Sequence, residues 1–273
     1  MENKTIAIYS ITEDILKAMN HYEDKRRDMS DAEVITTAIV STMFFSGNYE
    51  KGRAYMADTG FVKKMLSRSR FCRRLHAVAD LVYDIFHQLG MVLKQINIST
   101  EYLIDSFPVS VCHNIRIPRC RIAHSEEFRG YIAAKKEYFF GVRVHVLTTS
   151  DGIPVEFAFL PGGAHDSRGL GILNFALPSG SDVYADSAYT DYSVEDALKE
   201  MDDIHLDPNR KKNSKRYDEP PMRDYKKHMR RRIETTFSQI SAFFPKWIHA
   251  VTLDGFLIKV TFFIFAFTMD RVL

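Results

Sequence analysis

The sequence predicts an α/β protein, a mixed β-sheet flanked by helices and preceded by an all-helical segment. Three observations carry that expectation. Through residues 1 to about 97 apolar side chains recur at helical spacing, with no stretch that alternates. From residue 98 onward, short apolar runs and alternating runs bounded by Gly, Pro and Asp take over, the pattern of strands. Two of these runs end on an aspartate. The polar residues 97–100 mark the expected boundary, dividing the chain into 1–97 and 98–273.

A chain of 273 residues can bury a large core and has room for one or two domains. Its net charge of +2 does not announce nucleic acid, but the distribution is uneven: residues 210–232 hold eleven Lys and Arg against three carboxylates. Cys72, Cys112 and Cys120 are odd in number and include no Cys-x-x-Cys pair, which suits a reducing compartment. Residues 1–17 do not have the pattern of a secretory leader. The most apolar stretch, 256–269, is shorter than the roughly 20 residues that span a bilayer and carries Lys259, so it is expected to be a core helix and no membrane partner is expected.

In order along the chain, Ser30-Asp31-Ala32-Glu33 forms a capping-box start, and Val34, Ile35, Ala38, Ile39 and Met43 follow at helical spacing until Gly47. A polar stretch with Lys51 and Arg53 leads to Gly60. Residues 67–70 then open one long helix with Leu75, Val78, Val82, Ile85, Phe86 and Leu89 on its apolar face and Arg68, Arg70, Arg73 and Arg74 in its first turns. Short helices ending in one with a basic start match a helix-turn-helix DNA-binding module, with Arg70, Arg73 and Arg74 as candidate contacts. A solvated basic face on an ordinary bundle gives the same pattern.

Tyr102, Leu103 and Ile104 read as a short buried strand ending on Asp105. An arginine-rich turn follows, up to His124. Cys112, His113, Cys120 and His124 are metal-binding residue types without finger spacing, and zinc is not expected. Residues 138–149 alternate, with Arg143 and His145 on the polar side, as a half-buried strand; Ser150-Asp151-Gly152 turns it into a return strand through Ile153, Val155, Phe157 and Phe159. Asp166 reads as the N-cap of a short helix over 167–175. The run 182–185 is a second strand ending on an acid, Asp186. Thr190 or Asp191 caps a helix, Ile204-His205-Leu206 makes a fifth strand, and 209–221 is a basic loop whose Lys211, Lys212, Lys215 and Arg216 are candidate phosphate contacts. The last two helices carry Glu234 and span 253–272.

An acid on an otherwise apolar strand is costly to bury unless it is paired, hydrogen-bonded or bound to a cation. Asp105 and Asp186 therefore suggest one shared site. Glu234 is a third candidate, with Arg230 and Arg231 four and three residues before it on the same helix face, where they either neutralise it or hold DNA phosphates. Three carboxylates suit two divalent cations held about 3.5–4 Å apart for phosphoryl transfer. Oxygen donors select Mg²⁺, or else Mn²⁺. His165 and Asp166 are possible supporting residues.

Five motifs together resemble the DDE transposases of the insertion-sequence 982 family: Tyr102-Leu103-Ile104-Asp105-Ser106-Phe107-Pro108, Glu127-Phe128-Arg129-Gly130-Tyr131, Asp151-Gly152-Ile153-Pro154-Val155-Glu156-Phe157, Tyr184-Ala185-Asp186-Ser187-Ala188-Tyr189 and Arg231-Arg232-Ile233-Glu234-Thr235. The resemblance covers most of the chain. It implies a ribonuclease-H-like catalytic domain, a triad of Asp105, Asp186 and Glu234 holding two Mg²⁺, and cleavage and strand transfer on the element's own ends. It further implies double-stranded DNA as partner, a homodimer assembled on that DNA, and residence in the bacterial cytoplasm at the nucleoid. A nuclease of the same fold that never joins ends, or a DNA-binding remnant without catalysis, are the alternatives.

Overall fold

A computed structural model of the chain describes residues 1–24, 26–133 and 135–273. Two compact units emerge, one formed by residues 1–89 with 243–273 and the other by residues 90–242.

The first unit is helical: α1 (Glu2–Ala18), α2 (Asp31–Phe45), α3 (Tyr49–Asp58), α4 (Arg68–Ala77), most of α5 (Ala79–Ile96) and α8 (Leu253–Val272). The capping box forms as expected: Glu33 N–H donates to Ser30 Oγ at 3.1 Å and Ser30 N–H donates to the Glu33 carboxylate at 2.8 Å. Downstream of this cap α2 is buried on every side as far as Thr42, apart from Glu33. α8 is similarly enclosed from Gly255 to Met269, broken only at Leu257 and Lys259. Helices that are apolar all round have to be surrounded. They pack on one another, and Phe86 of α5 meets Phe265 of α8 edge-on at 5.4 Å. This need for enclosure places α8 with the N-terminal helices, so the compact units differ from the 1–97 and 98–273 division expected from polarity. Two further local differences appear. α3, capped by Asn48, occupies the stretch read only as polar. The single long helix expected from residue 67 is two, broken at Val78. No helix among the described residues is long and apolar enough to cross a membrane.

The second unit is built on a six-stranded mixed sheet of β1 (Glu101–Cys112), β2 (Arg129–Ile132), β3 (Glu137–Thr149), β4 (Pro154–Pro161), β5 (Asp182–Ala185) and β6 (His205–Pro208). The order is β2-β3-β1-β5-β6, with β4 also paired to β3. β1 to β4 pair antiparallel, whereas β5 runs parallel to β1 and β6 parallel to β5. The strand absent from the sequence expectation is β2, only four residues long. β3 is buried on both faces rather than one: His145, on the side expected to be polar, is fully enclosed. α6 (Tyr192–Asp202) and α7 (Pro220–Phe243) complete the unit. α7 buries Lys226, Met229, Ile233, Thr236, Phe237 and Ile240, a stripe at three- and four-residue spacing. Phe237 packs on Phe107 of β1 at 6.3 Å. Alternation along a strand puts Phe107 and Asp105 on one face, so α7 covers the face that carries Asp105.

Candidate active site

The parallel register of β1 and β5 decides where the two aspartates go. Pairing runs from Glu101 opposite Asp182 to Ile104 opposite Ala185. The next residue on each strand is Asp105 or Asp186. Neighbouring strands lie about 4.8 Å apart, so the two carboxylates leave adjacent strands at one level. β5 ends there, but β1 continues, with Asp105 opposite Val146 of β3. Asp105 is thus a mid-strand residue, not a strand end. Each carboxylate accepts the N–H of the following serine, Ser106 for Asp105 and Ser187 for Asp186, both at 2.7 Å.

Burial pushes the Asp105 carboxyl up to about 7; the Ser106 N–H bond pulls it down, the charges of Asp186 and Asp166 raise it further, and Arg143 opposes them. Asp166 reaches this site from the 3-10 turn Asp166–Gly171, which replaces the helix expected over 167–175. It is not the cap of that turn. His165 takes that role, its ring accepting from Ser167 N–H at 3.3 Å. The Asp166 carboxylate instead accepts the Ser106 hydroxyl at 2.7 Å and faces Arg143 at 3.6 Å. Below them, His145 Nδ1 shares a 2.8 Å hydrogen bond with the Tyr189 hydroxyl. Burial lowers the His145 pKa to about 4, so the ring is neutral at pH 7. Its Nε2 has no hydrogen-bond partner among the described residues. Arg143, His145, Ser106 and Tyr189 were not singled out from sequence; the one signal was the pair of polar residues inside the apolar run of β3.

Glu234 stands one turn before Phe237, beside the buried stripe of α7, with its side chain exposed and paired to Arg230 at 3.1 Å. Among the described residues, no three His, Cys, Asp or Glu side chains are gathered into a cation cage.

The transposase DDE domain, as a family model, matches residues 98–267, more than half of the chain. The chain belongs to the transposase DDE domain family. No curated protein and no solved structure matches it.

For a DDE domain, the donor set suits a divalent cation. Asp105 and Asp186 offer hard oxygen ligands side by side, and at Asp105 desolvation and the neighbouring acids outweigh the opposing charge of Arg143. Mg²⁺ keeps water and substrate oxygens among its ligands and does not need a closed protein cage.

The basic residues of this transposase sort by partner. Arg74 is bound to Asp31, a buried carboxylate that also holds Arg27 at 3.1 Å and His21 at 2.9 Å. Arg70 faces Asp28 at 3.3 Å. Arg73 has no acidic partner among the described residues. In the 209–219 segment, Arg210 and Arg216 grip Glu195 of α6, each at 2.7 Å, and Arg216 also holds Asp196 at 2.6 Å. Lys211, Lys212 and Lys215 are exposed, as is Arg231, with no ion pair among the described residues. Arg216 and Arg74 are engaged in the protein's own ion pairs, which sequence composition did not reveal.

Proposed function

We propose that the chain is a transposase of the insertion-sequence 982 type, which binds its element's terminal inverted repeats, cleaves DNA there and joins the ends to target DNA. The observation that supports this reading best is the β1–β5 register, which sets Asp105 and Asp186 side by side within a family defined by such acids. The mixed sheet, an antiparallel meander followed by two parallel strands, supports a ribonuclease-H-like catalytic fold.

In this reading Asp105 and Asp186 hold the divalent ions, two Mg²⁺ or Mn²⁺, and Glu234 joins them by exchanging Arg230 for metal. When bound, the ions lower the barrier by activating the attacking oxygen and stabilising the leaving one. The backbone N–H groups of Ser106 and Ser187 hold each carboxylate in a fixed orientation. Arg143 and Ser106 keep Asp166 beside them as a supporting acid, and His165 belongs to the same turn. Water attack on phosphorus breaks the P–O3′ bond and leaves a 3′-hydroxyl; attack by that hydroxyl on a target phosphodiester releases the target's own 3′-oxygen. Lys211, Lys212, Lys215, Arg230 and Arg231 contact phosphates, and Arg216 orders the segment that carries the three lysines. Residues 1–97 read the repeats, with Arg73 the least encumbered of the Arg70, Arg73 and Arg74 set, and two copies assemble on the DNA at the bacterial nucleoid.

The test is end cleavage by Asp105→Asn, Asp186→Asn and Glu234→Gln in Mg²⁺. Each is expected to lose cleavage while melting as a folded protein. Near-normal cleavage by Glu234→Gln would remove it from the triad, and retention by both Asp variants would overturn the proposed site.

A further inference from the structure

Beyond Asp105, β1 runs into a segment with no acid at all: between Asp105 and Glu126 the charged residues are Arg116, Arg119 and Arg121. All three are exposed and have no ion pair among the described residues. They are not on a loose tail. The 3-10 turn Asn114–Arg119 is rooted by Ile117, Cys120, Ile122 and Ala123 in an apolar cluster on Phe140. Asn114 Nδ2 donates to the Tyr138 carbonyl at 2.7 Å, fixing the turn to the start of β3.

Tyr138 is half of a second feature. It pairs across strands with Tyr131 of β2, ring centroids 5.0 Å apart, yet the two rings are 59% and 44% exposed. Arg143, which faces Asp166 in the acidic site, also donates to the Tyr131 carbonyl at 2.9 Å. On β3, Tyr138 and Val146 share a face, and Val146 lies opposite Asp105. The acids of this corner are Glu126, Glu127 and Glu137, and Glu126 is taken by Arg129 at 2.8 Å. Unpaired guanidinium groups beside exposed aromatic rings suit a nucleic-acid strand, with phosphates on the cations and bases on the rings.

We propose that this corner of the sheet binds a single DNA strand, with Arg116, Arg119 and Arg121 on its phosphates and an unpaired base stacked on the Tyr131–Tyr138 pair. The inference rests on the transposase reading, in which cleavage gives a 3′ end whose strand is free to part from its complement. Eight residues of β3 separate Tyr138 from Val146, about 27 Å, so a strand reaching both places spans several nucleotides.

Binding is measured with the full chain in EDTA across a salt series, on a blunt duplex and on the same duplex with a single-stranded tail of about ten nucleotides. The parent is expected to prefer the tailed DNA. Arg116→Ala/Arg119→Ala/Arg121→Ala should flatten the slope of log K against log salt by about 0.7 per lost contact, about 2 in all. Tyr131→Ala/Tyr138→Ala should cut the preference for the tail by about tenfold, and Tyr131→Phe/Tyr138→Phe, which keeps the ring face, should restore it. Unchanged slope and preference in folded variants of a parent that binds DNA would overturn this inference alone. A parent that binds no DNA at any salt would overturn the transposase reading and this inference with it.

Discussion

Asp105→Asn is expected to make the metal-free protein more stable at pH 8. Asp105 sits mid-strand between β3 and β5, and burial lifts its pKa from 3.8 to about 7. In that range the folded chain holds a proton that the unfolded chain has lost, so stability falls as pH rises from about 4 to about 7 and stays low above it. The full shift corresponds to about 4 kcal/mol; the side chain is only half-buried, and solvent screening reduces this to about 2 kcal/mol. Asparagine keeps the shape and the Ser106 N–H bond but carries no charge. The assay is a melting series in EDTA from pH 4.5 to 8.5 with parent and variant side by side. The variant should melt several degrees higher at pH 8 and converge with the parent near pH 4.5. Mg²⁺ should raise the parent and leave the variant nearly unmoved. A variant no more stable than the parent at pH 8 would show that the ionised carboxylate is already satisfied within the protein.

Other perturbations test the surroundings. Gly169→Ala would put a methyl carbon 2.4 Å from His145 Nδ1, and the shift needed to relieve it should cost about 1–3 kcal/mol in denaturant unfolding. Lys94, 1% exposed, faces Glu156 at 3.6 Å and donates to the Asn174 carbonyl at 3.0 Å. Lys94→Met should cost about 3–5 kcal/mol by removing the cation that faces Glu156, and Lys94→Met/Glu156→Gln should recover much of it; equal losses would mean that the pair is not coupled. Alanine at Lys211, Lys212 and Lys215 should flatten the salt slope of duplex binding by about 0.9 per contact without lowering stability. Arg216→Ala should instead loosen the 209–219 segment, detected as faster proteolysis there, because it releases Asp196 and leaves Arg210 as the segment's only ion-paired hold on Glu195 among the described residues.

Local pattern alone was enough for the capping box at Ser30, the bounds of α8, the β3–β4 hairpin and the two runs that place Asp105 and Asp186 beside apolar strands. These are short-range properties: side-chain periodicity and cap chemistry act within a few residues of each position. β2 and α3 escaped because four residues, or a polar ten-residue helix, carry little periodicity to detect. The tertiary structure decided what depends on partners distant in the chain. The parallel register of Ile104 with Ala185 brings two acids together across eighty intervening positions. Burial of His145 beneath Tyr189 makes a face that looked polar part of the core. Apolar surface has to be enclosed, but its periodicity does not say by what, and so α8 joined helices far from it in sequence. An arginine's charge is likewise blind to its partner: only folding sets Asp31 beside Arg74 and Glu195 beside Arg216.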